Sequence, residues 1–122
     1  MLKEEVKRWW SKAEDDFDKA EILFKNKKYD GAVFFCQQAV EKGLKALTLK
    51  KQNKIKKIHD LVELGREISL PQSLLDYCKE LTLSYIYSRY PDIEEDKNIK
   101  AISNKFLEYA KEILKWIKKE IY

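Results

Sequence analysis

The chain is poor in residues that turn a backbone, with three glycines and two prolines among 122 residues. Strand-rich sandwiches and barrels need turn formers at roughly 8–12-residue spacing, so that architecture is excluded. Potential metal ligands are equally scarce. The single histidine, His59, has no cysteine pair beside it, and Cys36 and Cys78 stand far apart among apolar residues. A zinc site is therefore not expected, nor any other metal or cofactor, and the two thiols are expected to be buried and reduced. No apolar run approaches the about 20 residues that span a bilayer. The start, MLKEEVKRWW, carries charge where a signal peptide needs its apolar stretch, so a cytoplasmic protein without membrane contact is expected. A Gly-rich phosphate loop, an H-E-x-x-H pair and internal repeats are also missing.

What is present points to helices. The composition is 44% hydrophobic and 38% charged, with a formal net charge of +4 that permits anionic partners without demanding them. Val6, Trp10, Ala13, Phe17, Ala20 and Phe24 recur in steps of four and three, which places them on one face of a helix over residues 2–25. Asn26, Asp30 and Gly31 break the pattern and predict a short turn to an antiparallel neighbour. Helix two is predicted over 29–49, with Ala32, Cys36, Ala39, Val40, Gly43 and Leu47 centred on its buried side. Gly43 costs about 1 kcal/mol relative to alanine inside a helix, so another backbone is expected close to it.

A lysine-rich loop, KKQNKIKK, follows. Asp60 with Glu63 three residues on forms a capping box, predicting a short helix three over 60–68. Pro71 suits the start of helix four, with Leu74, Cys78, Leu81 and Tyr85 on one face, and Pro91 predicts its end near Arg89. Asp96 caps a last helix in which Ile99, Ile102, Phe106, Ala110, Ile113 and Ile117 form the stripe. The expected fold is all-α: one domain over 1–122, an up-and-down bundle of four long helices and one short helix.

Three features offer chemistry. On a helical wheel at about 100° per residue, Gln37 lies at the edge of the buried side of helix two, while Phe34, Gln38, Glu41 and Lys45 fall on the opposite side. Phe34 there is either an ordinary exposed apolar residue or part of a contact surface. The glutamines either flank a solvated helix or hold a polar ligand. In YIYSRYPD, Arg89 among three tyrosines could fork onto a phosphate while a tyrosine stacks a base; the plainer alternative is an ion pair with Asp92 at the core edge. His59 is of the side-chain type that most often moves protons in enzymes, but a lone histidine needs a partner to act as acid or base.

WWSKAEDDFDKAE, YDGAVFFCQQAVEKGLKAL, HDLVELG and YSRYPD, in that order across nearly the whole chain, resemble the HEPN family, the higher-eukaryote and prokaryote nucleotide-binding domains. The resemblance implies a homodimeric helical bundle often encoded beside a minimal nucleotidyltransferase. Many members are metal-independent ribonucleases with an arginine, about four to six residues, then a histidine; Arg89 is followed by YPDIEEDKNIK, without one. What the resemblance implies is therefore a non-catalytic module that binds a nucleotide or RNA phosphate, partners a nucleotidyltransferase in a toxin-antitoxin-like pair, or both. Gln37, Gln38, Glu41, Lys42, Lys45, Arg89 and Tyr90 would line its groove, and Phe34, Gln38 and Glu41 would meet a second copy. The alternatives are a ribonuclease using His59 or Arg89 in a non-standard arrangement, and a purely structural dimeric scaffold.

Overall fold

The computed structural model describes residues 2–84 and 98–122. Its helices are α1 (Glu4–Lys25), α2 (Tyr29–Gln52), α3 (Leu61–Glu67), α4 (Gln72–Leu81) and α5 (Ile99–Ile121), with no strand among the described residues. No described helix is long and apolar enough to cross a membrane.

Local sequence sets the junctions. Lys27 takes a left-handed φ of 62°, and the Lys28 and Lys27 amides close back onto the Leu23 and Phe24 carbonyls at 2.8 and 3.0 Å. This terminates α1 and turns the chain directly into α2, so the two helices pack antiparallel over their length. Asp60 caps α3, its carboxylate accepting from the Val62 and Glu63 amides at 2.9 and 3.2 Å. The Asp60 half of the expected capping box is thus in place. Ser69, also left-handed, ends α3 in the same way as Lys27 ends α1.

The core gathers around α2. Val33, Val40, Leu44 and Leu47 on α2 meet Trp10 and Ala13 of α1, Ile113 and Ile117 of α5, and Leu61, Leu64, Cys78 and Leu81 of α3 and α4. Each large aliphatic side chain so buried is worth about 1.5–3 kcal/mol. α5 runs parallel to α2. Lys50, at the end of α2, donates to the Glu120 and Ile121 carbonyls at 2.9 and 2.8 Å and so satisfies the otherwise unpaired C-terminal end of α5. The thiols of Cys36 and Cys78 are free and buried, and desolvation pushes Cys78 up to about 12.

Four expectations are corrected. α2 has no broad exposed polar side below its first turns: Glu41 and Lys45 are 8% and 5% exposed, because the helix lies at the centre of the bundle and is covered around its circumference. A Cβ on Gly43 would stand 2.9 Å from Leu114 Cδ2 and 3.3 Å from Ile117 Cδ1, so side chains, not a backbone, occupy the space. Phe17 is only partly buried, and Asp16 takes the fully buried position beside it on α1. α4 ends at Leu81 and does not run on unbroken, and the expected end near Arg89 lies outside the described residues. The Leu83 amide bonds the Glu80 carbonyl, three residues back, and the Thr82 hydroxyl donates to the Cys78 carbonyl at 2.9 Å, which tightens the chain into a turn. Arg89, Tyr90, Pro91 and the Asp96 cap lie outside the described residues.

Candidate functional site

One turn of α2 separates Gln37 from Glu41, so both side chains rise on the same flank of the helix. The connection from α2 to α3 crosses that flank. Ile58 packs against the core and Leu61 is buried at the start of α3, and these two apolar anchors hold His59 between them at the surface. His59 Nδ1 consequently stands 3.0 Å from Glu41 Oε2.

Glu41 is the centre of a connected network. Lys45 Nζ donates to Oε2 at 3.1 Å, Gln37 Nε2 donates to Oε1 at 3.2 Å, and Gln38 Nε2 donates to Gln37 Oε1 at 2.8 Å. Burial pushes the Glu41 carboxyl upward, but the hydrogen bonds from His59, Lys45 and Gln37 and the Lys45 charge together hold it below its ordinary value. Glu41 is therefore a carboxylate that only accepts. Its neighbour His59 Nδ1 must carry the proton, and in the neutral ring Nε2 is left as an acceptor. The His59 side chain is 78% exposed, and Nε2 bonds to no described residue.

Phe34, Gln37, Gln38, Glu41, His59 and Leu61, with Thr82 and Ser84 beyond α4, enclose a cavity of about 390 Å³. That is within the size range of small-ligand sites. Its walls carry neutral amides, hydroxyls and an imidazole backed by a carboxylate. Such a set can hold the polar edge of a planar ligand, or pass a proton through His59 Nε2; it is not by itself a cationic phosphate clamp.

The structure brings together Phe34, Gln37, Gln38, Glu41 and His59 and separates two cations expected with them. Lys45 is enclosed between Glu41 and the Trp9 ring, with Nζ 5.8 Å from the ring centroid. Lys42 pairs with Asp16 on α1. Asp16, 1% exposed, also has Lys12 and Lys19 at 3.7 and 3.8 Å from Oδ1, yet Oδ1 accepts no hydrogen bond. Sequence reasoning passed over Asp16, although its spacing of three from Ala13 and four from Ala20 sets a carboxylate in the apolar register of α1. Thr82 and Ser84 were missed because they reach the cavity only after α4 has ended.

A larger open groove of about 610 Å³ lies between α1 and α5, floored by Trp10, Phe17 and Leu114 and edged by acids on α1 and lysines on α5. No network of mutually bonded polar groups converges in it, so the smaller cavity is the better candidate for chemistry.

The family model for the HEPN domain matches residues 6–121. None of the curated proteins compared matches the chain. Two solved structures superpose on nearly all of it. The crystal structure of TT1696 from Thermus thermophilus has a TM-score of 0.81 at 24% identity, covering 94% of this chain and 97% of that one. ST0689, an archaeal HEPN homologue, has a TM-score of 0.76 at 28% identity with both chains covered in full.

Proposed function

Because this chain belongs to the HEPN domain family, we propose that it is a non-catalytic binding module whose cavity between α2 and His59 takes the polar edge of a nucleotide, free or within RNA. The supporting observation is the convergence of Gln37, Gln38, Glu41 and His59 on one cavity of about 390 Å³. With Lys42 and Lys45 engaged by Asp16 and Glu41, recognition in the cavity rests on hydrogen bonds to base or ribose more than on phosphate charge. A homodimer that partners a separate minimal nucleotidyltransferase, in a toxin-antitoxin-like pair, is the assembly this reading favours.

Titration with ATP and other nucleotides tests it. Gln38→Ala and His59→Ala should each weaken binding about 3–10-fold, the loss of one net hydrogen bond. A wild-type protein that binds no nucleotide, or variants that bind as the wild type does, would end the proposal.

A second reading, ribonuclease, is favoured by one geometry: Glu41 orients His59 through Nδ1, and Nε2, unbonded among the described residues, can take a proton. RNA brings its own nucleophile. The 2′-oxygen would bond phosphorus as its proton passes to His59 Nε2, the bond from phosphorus to the 5′-oxygen would break, and that oxygen would be protonated by solvent. The expected product is a 2′,3′-cyclic phosphate, formed without metal and lost in His59→Ala. RNA left intact by the purified wild type removes this reading.

A further inference from the structure

A second concave patch lies on the α1 side of the same network. Arg8, Trp9 and Lys12 of α1, with Lys42 of α2 and one acid, Glu5, line a groove of about 390 Å³. Asp15 and Asp16 pair the two lysines of the lining, so its anion-attracting charge rests on Arg8, and the half-buried Trp9 adds an aromatic surface. The exposed Arg8 forms no ion pair or hydrogen bond with another described residue. An exposed guanidinium beside an indole is the pairing that binds a phosphate by a planar fork while a base stacks alongside.

The lysines of the groove are held in place. Lys42 and Lys12 both turn to the buried Asp16 carboxylate, which draws together ammonium groups that would otherwise repel. Lys45 joins the groove to the candidate cavity: it bonds Glu41 on one side and sits over the Trp9 ring on the other. The two concavities are therefore linked through Lys45, which touches a lining residue of each.

We propose that the Arg8–Trp9 groove is a second subsite for single-stranded RNA, taking the phosphate and base of a nucleotide next to the one held at Gln37, Gln38, Glu41 and His59. The adjacent-nucleotide part of this assignment rests on the proposed function of that cavity; the RNA contact at Arg8 and Trp9 stands on the groove alone. It gives the phosphate charge a place that the cavity itself lacks. The ligand would then be an oligonucleotide, bound more tightly than a mononucleotide, and its affinity would fall with salt.

The test compares AMP with a short single-stranded oligoadenylate and a duplex of the same length, against wild type, Arg8→Ala, Trp9→Ala and Trp9→Phe. The single strand should bind at least tenfold more tightly than AMP, and Arg8→Ala and Trp9→Ala should each cost about tenfold on the oligomer and less on AMP. Trp9→Phe, which keeps an aromatic face and the local packing, should retain most of the affinity. Arg8→Ala should also flatten the dependence of log affinity on log salt by about 0.7. Arg8 is exposed and pairs with no other described residue, so its variant remains informative even if Trp9→Ala does not fold. Oligomer binding unchanged in Arg8→Ala, or a duplex bound as tightly as the single strand, would overturn the subsite. If the oligomer binds with these losses but AMP does not bind at all, the groove stands and the cavity reading falls. If AMP binds and the oligomer gains nothing over it, the cavity stands and the groove falls. If neither binds, both fall.

Discussion

Asp16 and Glu41 are both buried carboxylates paired with lysine in the α1–α2 pair, yet they do different things. Lys42, only 20% exposed, bonds Asp16 Oδ2, while the Lys12 and Lys19 ammonium groups near Oδ1 sit on side chains 49% and 42% exposed and leave that oxygen without a hydrogen bond. Glu41 has a buried lysine on one oxygen and an exposed histidine on the same oxygen, and its second oxygen takes Gln37. That network opens on a cavity. Burial of charge is therefore a poor guide to function by itself. A connected network ending in a titratable, accessible ring is a better one.

The sharpest way to break this comparison is Glu41→Ala. It strands the buried Lys45 ammonium, and removing one partner of a buried pair costs about 3–5 kcal/mol, read as a shift of the urea midpoint. The same carboxylate predicts a pH effect. Its folded value is held below the ordinary 4.5, so its contribution is complete above that pH and is lost as pH falls through the lowered value. The stability gap between wild type and Glu41→Gln should narrow as pH falls below 4.5; a constant gap would show that the carboxylate is not held by charge.

Asp16→Ala should cost less, about 1.5 kcal/mol, because Lys42 is 20% exposed where Lys45 is 6%, Lys12 and Lys19 are half in water already, and the unpaired oxygen leaves with the carboxylate. A loss as large as that of Glu41→Ala would put the two clusters on the same footing. His59→Ala is the smallest in stability, within about 0–1 kcal/mol for an exposed partner, while it should weaken the cavity's ligand binding. Circular dichroism melts beside nucleotide titrations on one sample separate the two effects.

Much of the fold was readable because amphipathic helices announce themselves by apolar spacing. The stripes of α1 and α5, the turn at residues 26–28, the Asp60 cap and the burial of Cys36 and Cys78 all follow from local pattern. The early end of α4 was not readable, since Pro91 is a strong stop signal and nothing at Thr82 competes with it in the sequence. The site was half readable. Gln37, Gln38, Glu41 and His59 were singled out, but a helical wheel has no neighbours on it and set Glu41 and Lys45 opposite the buried side, where the bundle in fact covers them.

The order of residues alone determined which segments coil, where they are capped and which faces are apolar, because those depend on contacts within one or two turns. The tertiary structure alone decided that α2 lies at the centre, that Lys42 answers Asp16 while Lys45 answers Glu41, and that His59 comes to rest 3.0 Å from a carboxylate eighteen positions earlier. Such pairings are chosen when buried charges compete for partners in a packed interior, and that competition begins only once the helices have met.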